Sequence, residues 1–340
     1  MKKSQNKKIF FNMKNVCVVI VTHGDRFNFL QKTIQACLSN KVKRIVIVDN
    51  KSDIKSQKRL KLYLDACSKI IKIINLNWNT GSAGGFKAGI KKAINYKDCS
   101  HILLLDDDNV LSKNTIMVIL NKFNNLALTH KKDAFLISCY RVCLNQLQHM
   151  KVKNGVFLGF CIKELTLKIF KTLFYKKTRN QINEFFNEKE IQTAPWGGLF
   201  FHKSLIKKYG LPREDFFLYS GDTEFTYRIT NNYGKIFLIP EAKIIDIDLP
   251  MGGEKSSSNL LSYFNATGSK IYYHLRNSVF FEIHCKKDRT FIREINKFIY
   301  ISILKILSLF QNKKERFNLI MQAINDGENN KLGYNPKFPL

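Results

Sequence analysis

Four apolar runs within the first 105 residues constrain the fold of this chain more than any other feature. Each has the length of a strand, and the first, which is unbroken, is typical of a strand buried on both faces of a sheet. The runs occupy residues 16–21, 44–48, 71–76 and 101–105. Helical patterns lie between them, as at residues 26–39 and 86–96. Alternating strands and helices predict an α/β chain with a doubly wound, mostly parallel sheet.

Polar clusters follow these runs at the ends of the predicted strands. They include Thr22, Asp49, the glycine-rich segment 79–85 and the carboxylates at 106–108. Open parallel sheets bind ligands at the carboxyl ends of their strands, so these clusters are expected to form one site. The glycine-rich segment would let backbone approach a phosphate or sugar, although a flexible loop entering a helix explains it too. It matches neither a dinucleotide fingerprint nor a Walker A motif.

Three consecutive aspartates, residues 106–108, are the most informative polar feature. Adjacent carboxylates repel one another, and a divalent cation such as Mg²⁺ or Mn²⁺ relieves that repulsion through hard oxygen ligands. An acidic, solvated turn is the alternative. A second acidic pair, Asp222 and Glu224, follows an aromatic run, where a carboxylate could serve as a general base or simply favour a helix N-terminus.

Composition limits the class of protein and its partners. The chain has 340 residues, and 56 Lys and Arg against 27 Asp and Glu give a net charge of +29. Hydrophobic residues at 45% exclude a disordered chain. A surface this basic favours anionic membranes, phosphorylated substrates or nucleic acid. Eight scattered cysteines indicate reduced thiols, and neither a targeting peptide nor a membrane-spanning segment is visible, so a cytoplasmic location is expected.

The order and spacing of several motifs resemble the inverting glycosyltransferases of family 2, which have the GT-A fold. The likeness is nearer to the bacterial rhamnosyl- and galactofuranosyltransferases, and it spans about residues 16–335. It is carried by residues 18–26, 47–52, 79–89, 105–108, 196–200, 210–217, 222–228, 272–277 and 323–327. The resemblance implies a Rossmann-like GT-A sheet with a helical C-terminal extension.

The resemblance also implies roles for individual residues. The nucleotide-sugar group would be Thr22, Asp49, Asn79, Gly81, Gly84, Gly85, Asp106 and Asp107. The ligands of Mn²⁺ or Mg²⁺ would be Asp106, Asp108 and Asp246. Asp222 would be the catalytic base, and the acceptor would contact Trp196, Gly197, Glu224 and Arg276. For Trp196, a place in the core is an alternative.

Two departures from the family pattern concern the site. Relatives often have an Asp pair where this chain has Gly221 and Asp222, and the retained second Asp is the one that usually acts as base. Relatives also commonly place a His ligand where this chain has Asp246. Because an aspartate binds Mg²⁺ or Mn²⁺ well, we expect a changed ligand rather than a lost activity.

The expected activity is metal-dependent, inverting transfer of a hexose from a nucleotide-diphosphate sugar in bacterial surface polysaccharide synthesis. The resemblance favours galactofuranose or rhamnose, carried on UDP or dTDP, and a glycan or lipid-linked acceptor. The expected organisation is a basic tail (1–15), a catalytic domain (16–285) and a helical extension (286–340). Within the catalytic domain, residues 16–125 would bind the nucleotide sugar and residues 126–285 the acceptor.

Other readings of the sequence remain. A basic nucleic-acid-binding protein without activity would explain the charge, but no nucleic-acid motif appears and no such partner is expected. A nucleotidyltransferase is disfavoured because the basic N-terminal loop that attacks a triphosphate is missing. Residues 298–310, with Lys305 among them, suit a helix on the inner face of the cytoplasmic membrane, or one packed on the catalytic domain.

Overall fold

The computed structural model describes residues 16–65, 70–142, 188–248, 268–287 and 291–339. Its strands are β1 (Val16–Gly24), β2 (Arg44–Ser52), β3 (Ile71–Asn75), β4 (His101–Asp106), β5 (Asn109–Leu111), β6 (Phe135–Arg141), β7 (Lys189–Ile191), β8 (Leu199–His202) and β9 (Lys235–Asp246). Its α-helices are α1 (Phe27–Ser39), α2 (Ile54–Asp65), α3 (Gly81–Ala93), α4 (Thr115–Leu126), α5 (Ser204–Tyr209), α6 (Gly221–Thr230), α7 (Gly268–Phe280), α8 (Phe291–Phe310) and α9 (Lys314–Glu328).

The strands form one mixed sheet in the order β3-β2-β1-β4-β8-β6-β9-β5, with β7 paired to β9. The pairs β3–β2, β2–β1 and β1–β4 are parallel, as the apolar runs predict. Antiparallel β8 then separates β4 from β6, and β6 runs parallel to β9. The carboxyl ends of β1, β2, β4 and β6 therefore meet at one edge of the sheet.

Helices cover both faces of the sheet because alternate residues of each strand point to opposite sides. On one face, Val18 and Ile20 of β1 pack with α1, α2 and α4. On the other face, Cys17 and Val19 pack with α3 and α6. The expectation of strands buried on both faces is confirmed for β1, β2 and β4.

Helices α7, α8 and α9 form a separate layer with its own apolar cluster. Tyr273, Leu304 and Ile324 lie in this cluster, and Phe217 joins it from the segment before α6. The helical C-terminal region predicted from the sequence is thus present. Among the described helices, none combines the length and apolarity needed to cross a bilayer.

Helix α3 begins earlier than the sequence predicts. The glycine-rich residues 81–85 were expected to form a loop before a helix at 86–96, whereas the helix spans Gly81–Ala93. The side chain of Asn50 explains this start, since its amide donates to the Gly81 carbonyl (2.9 Å) and its oxygen accepts from the Thr80 N–H (2.8 Å). The expected tail (1–15) and residues 143–187 of the expected acceptor half lie outside the described residues.

Candidate active site

A cleft of about 230 Å³ lies at the edge of the sheet where the parallel strands end. Its walls come from the ends of β1, β2, β4 and β6, the start of α3, and the segment before α6. The lining residues are Val21, His23, Arg26, Asn50, Asn79, Gly81, Ser82, Phe86, Asp106, Asp107, Asp108, Arg141 and Leu218. The structure therefore brings the aspartate triplet, Asn79 and Gly81 together, as the sequence predicts.

Asp107 is the most firmly held member of the triplet. The Thr22 hydroxyl donates to its Oδ2 at 2.8 Å, and the Arg26 Nε lies 2.8 Å from Oδ1. The Thr33 hydroxyl donates to the Asp107 backbone carbonyl at 2.8 Å. Thr22 thus acts here by holding Asp107, which fixes the turn that presents the neighbouring carboxylates.

Arg26 binds three carboxylates at once. Besides Asp107, its Nη2 lies 3.2 Å from Asp108 and its Nη1 lies 2.5 Å from Asp248. The guanidinium offers several donors in a fixed plane, so one arginine can join carboxylates from distant parts of the chain. It therefore ties the end of β9 to the end of β4.

The carboxylates of the triplet hold protons more tightly than exposed aspartates. Burial raises the pKa of Asp106, Asp107 and Asp108 to about 6 in each case, despite the opposing effect of nearby arginines. The charge of Asp222 adds to the rise at Asp106, which places these two carboxylates within electrostatic range. Raised acidic pKa values in a cleft are typical of functional sites.

Asp246 is held by Arg141 and Asn109. It is buried, and Arg141 binds it through Nε (2.9 Å to Oδ1, 3.2 Å to Oδ2) and Nη2. The Asn109 amide also donates to Oδ1 at 2.7 Å. The guanidinium at the end of β6 thus contacts both oxygens of Asp246, and the role of Asp246 as third metal ligand stays a prediction.

Asp106 and Asp108 lie on the cleft and could hold a divalent cation. Asp106 lies 3.6 Å from Arg141, and Asp108 accepts from Asn109 at 3.1 Å. Within the described part of the chain, no group of three or more His, Cys, Asp or Glu side chains has the arrangement of a metal centre. Two carboxylates nevertheless fit Mg²⁺ or Mn²⁺, which often take their other ligands from substrate phosphates and water.

The side of the cleft at the start of α3 is built on amide side chains. Asn50 donates to Asn79 Oδ1 at 3.0 Å, and Asn79 Oδ1 accepts from the Gly81 N–H at 2.9 Å. Asp49 is buried, and its Oδ1 accepts from the Ser52 N–H at 2.7 Å. The contacts of Asn50 and Asn79 fix the N-terminus of α3 at the cleft, and a helix N-terminus favours an anion.

Gly84 and Gly85, also predicted to contact the nucleotide, instead allow close packing. A Cβ on Gly85 would lie 2.6 Å from Val21 Cγ1 on β1. A Cβ on Gly84 would lie 2.5 Å from the Thr80 side chain. Neither glycine lines the cleft.

Asp222 lies in the first turn of α6, near the aspartate triplet. Its Oδ1 accepts from the Thr223 N–H at 2.7 Å and from the Thr223 hydroxyl at 3.4 Å. Among the described residues, none donates a hydrogen bond to its Oδ2. Burial raises the pKa of Asp222, which makes the ionised form a stronger base.

The segment before α6 is held in an unusual backbone conformation. Phe217, Tyr219 and Ser220 have φ values of 60°, 63° and 57°. The Asn277 amide on α7 donates to the carbonyls of residues 216, 218 and 219 at 2.6, 2.7 and 3.0 Å. Asn277 therefore orders the segment that leads into Asp222.

The predicted acceptor-binding residues separate into two groups. Trp196 is buried between Phe86 and Phe225, with ring centroids 5.1 and 5.5 Å apart, so its place is in the core. Glu224 is buried and pairs with Arg228 at 2.8 Å. Neither side chain lines the cleft, and their bonding partners explain their burial without an acceptor.

Arg276 and Gly197 complete this set. Arg276 is only 1% exposed, and it donates to the Gly333 carbonyl (2.7 Å) and to Asn277 (2.9 Å), which gives it a structural place rather than one on the cleft. Gly197 packs directly against Asn109 and Asp106, because a Cβ at this position would lie 2.1 Å from Asn109 Oδ1 and 2.8 Å from Asp106 Oδ2.

Sequence reasoning missed Arg141, Asn50 and Asn109 as parts of the site. Each stands at or just after the carboxyl end of a strand, which is the signal that identified Asp49 and the aspartate triplet. An isolated arginine or asparagine at such a position carries no pattern that separates a site residue from an ordinary surface residue. Arg26 was recognised within a motif, but its contacts with three carboxylates were not foreseen.

The profile described as "Glycosyl transferase family 2" matches residues 17–210, more than half of the chain. The chain belongs to glycosyl transferase family 2. This family assignment agrees with the GT-A arrangement of the sheet and with the position of the cleft. No similar sequence was found among curated proteins.

Two solved structures are similar to this family 2 chain. One is GalNAc-T7 with UDP, GalNAc and Mn²⁺, at 16% identity and a TM-score of 0.52, covering 79% of this chain and 51% of that one. The other is the mannosyltransferase PcManGT from Pyrobaculum calidifontis with GDP-Man and Mn²⁺, at 9% identity and a TM-score of 0.54, covering 93% and 88%. This chain thus spans about half the length of the first, and the likeness supports the GT-A fold.

Proposed function

We propose that this protein is a glycosyltransferase that moves a hexose from a nucleotide-diphosphate sugar to a hydroxyl acceptor with inversion. The observation that carries the proposal is that Asp222 lies within electrostatic range of Asp106, which lines the cleft of a family 2 fold. The two structural neighbours hold UDP or GDP-mannose together with Mn²⁺, which supports a nucleotide sugar as donor.

The donor would lie between the aspartate triplet and the N-terminus of α3. Gly81 and Ser82, in the first turn of α3, line the cleft, where a diphosphate would interact favourably with the helix dipole. Arg26 and Arg141 keep the carboxylates in place. When bound between Asp106 and Asp108, a divalent cation would supply positive charge that offsets the charge of the departing diphosphate.

Asp222 would act as the base. Its Oδ2 would take the proton from the acceptor hydroxyl while that oxygen attacks the anomeric carbon, and the bond from this carbon to the diphosphate oxygen breaks. Thr223 holds the other carboxylate oxygen, so the proton-accepting oxygen has a fixed direction. One base and a direct displacement invert the anomeric centre, without a covalent sugar–enzyme intermediate.

The donor and the acceptor are proposed from the family resemblance. Galactofuranose on UDP and rhamnose on dTDP are the favoured donors, and the neighbours add GDP-linked mannose to the candidates. A glycan or lipid-linked acceptor in bacterial surface polysaccharide synthesis fits the strongly basic chain, because such acceptors commonly carry phosphate.

Two variants test the proposal together. Titration calorimetry with UDP, GDP and dTDP, with Mn²⁺ and then with a chelator, measures nucleotide binding. Asp108→Asn should weaken Mn²⁺-dependent binding at least about tenfold, because it removes one of two ligands. Asp222→Asn should bind the nucleotide as the wild type does. It should cleave the bond between the sugar and the diphosphate of the donor roughly 100-fold or more slowly.

Asp133→Asn is the matched control. Asp133 lies just before β6, at the edge of the sheet opposite the cleft, so this variant should bind and turn over like the wild type. If a folded wild type bound none of the three nucleotides, or if Asp108→Asn bound them unchanged with Mn²⁺, the proposed site would be wrong. Salt-sensitive binding of RNA or DNA in that case would favour the nucleic-acid alternative.

A further inference from the structure

Helix α8 exposes an apolar stripe along one side. Six large side chains on this 20-residue helix are more than a third exposed, and their intervals of three, four and eight residues place most of them on one face. We call this set the α8 stripe: Phe291, Ile295, Phe298, Ile306, Leu309 and Phe310. Phe291, Phe298 and Phe310 are 79%, 73% and 84% exposed. Single exposed apolar residues are common, but a continuous row on one helix marks an interaction surface.

The opposite face of α8 is already fixed to the protein. Tyr300 and Leu304 are buried in the C-terminal apolar cluster with Ile320 of α9. Lys297 Nζ lies 2.5 Å from a Glu328 carboxylate oxygen, which joins the two helices again. The helix therefore cannot turn to bury the α8 stripe without giving up these contacts.

Cations lie on and around the stripe. Lys305 is exposed within it, Lys287 precedes the helix, and Lys314 follows it. The acidic Glu294 on the same helix is bound by Arg293. An exposed apolar row among lysines is the pattern of a helix that lies in a membrane interface, where the lysine chains extend to the lipid phosphates.

We propose that the α8 stripe docks this protein on an anionic lipid surface. The chain carries a net charge of +29, so it is attracted to such a surface as a whole, and the stripe supplies the apolar contact that charge alone lacks. A second copy of the chain fits less well. A symmetric pair would bring the same lysines of two highly positive molecules together at one interface. This surface is separate from the cleft, and the proposal does not depend on the sugar that the enzyme transfers.

Vesicle sedimentation tests the docking surface. The full chain is mixed with vesicles of equimolar phosphatidylglycerol and phosphatidylcholine, and with vesicles of phosphatidylcholine alone. We expect binding to the anionic vesicles that falls as salt rises. Phe298→Ala/Phe310→Ala should weaken that binding at least about tenfold, because each ring loses its contact with the acyl region.

Leu62→Ala/Leu128→Ala is the matched control, since it removes two other exposed apolar side chains and should bind vesicles like the wild type. Thermal unfolding checks that both variants are folded, and Ile306→Gln/Leu309→Gln replaces the first pair if that pair is not. Equal binding by wild type and stripe variant would overturn the proposal, as would no binding by the wild type. Light scattering that shows a dimer dissolved by the stripe variant would assign the stripe to a second copy instead.

Discussion

Gly197 allows the backbone to approach Asp106 and Asn109 closely. Its missing side chain leaves room for Asn109 Oδ1 and Asp106 Oδ2, which would lie 2.1 and 2.8 Å from a Cβ at this position. Asn109 in turn accepts a hydrogen bond from the Asp106 N–H at 3.0 Å and donates to Asp108 and Asp246. A methyl group here would therefore displace the residue that organises three carboxylates.

Gly197→Ala should weaken Mn²⁺-dependent nucleotide binding by about tenfold or more and lower the free energy of unfolding by roughly 1–3 kcal/mol, as overpacking does. Calorimetry and urea unfolding measure the two effects. Gly268→Ala is the control, because the nearest atom to its added methyl is Leu319 Cδ1, at 3.3 Å on the end of a side chain. If Gly197→Ala bound the nucleotide as strongly as the wild type, the position of Asn109 would not matter for binding.

His101 should make the free energy of unfolding depend on pH, and this effect does not involve the cleft. Its ring stacks on Phe200 (5.2 Å between centroids) and meets the edge of Phe123 (4.6 Å), and burial lowers its pKa to about 3. A histidine whose pKa is lowered on folding contributes stability above its unfolded pKa, near 6.5. That stability is lost as the pH falls from there toward the folded pKa.

Relative to His101→Phe, the wild type should lose roughly 2 kcal/mol of unfolding free energy between about pH 7 and about pH 5. The aspartate triplet titrates in both proteins alike, so the difference between them isolates the imidazole. Urea unfolding at the two pH values measures it. Parallel stability curves for the two proteins would mean that the folded histidine takes up its proton without cost.

The role of Arg141 shows where prediction from the sequence ends at the residue scale. The triplet and Asp222 could be predicted because each follows an apolar or aromatic run that fixes its place. Arg141 reaches Asp246 only because the pairing of β6 with β9 shifts between Cys139 and Tyr140. Such an irregularity depends on tertiary packing and leaves no periodic signal in either strand.

At the scale of elements, α7 braces the segment before α6. Asn277 is fully buried and donates to three carbonyls of a segment in which three residues other than glycine have positive φ. Such conformations cost free energy and persist only where surrounding contacts maintain them. A helix of the C-terminal layer thus determines where Asp222 lies, although it contributes no side chain to the cleft.

Asn277→Ala should lower the thermal midpoint and slow sugar release roughly tenfold or more, while nucleotide binding stays within about twofold, because only the segment leading to the base is released. Asn329→Ala, which removes an exposed asparagine bonded within its own helix end, is the control. Differential scanning calorimetry and the donor-release assay give the two readouts. Unchanged release from a destabilised Asn277→Ala would show that the brace serves stability alone.

At the scale of the whole molecule, the parallel half of the sheet follows from the sequence, and the other half does not. The buried strands β1, β2 and β4 can be predicted from their apolar runs. Strands β7 and β8 have three and four residues, too short for any period to be read, and their antiparallel direction depends on the partners beside them. The position of the cleft could be predicted because the cleft lies at the carboxyl ends of these parallel strands.

One backbone oxygen joins the two sides of this cleft. The carbonyl of Phe217 accepts from the Ala83 N–H at 3.2 Å, and it stands where Gly81 has no side chain, 2.1 Å from the Cβ that would otherwise be there. The family 2 profile ends at residue 210, before this segment begins. The start of α3, which is proposed to bind the nucleotide, and the segment that leads to the proposed base Asp222 are therefore linked through a single peptide unit. If the segment that leads to Asp222 were exchanged between relatives, the contact of the Phe217 carbonyl with Gly81 and Ala83 would have to be preserved.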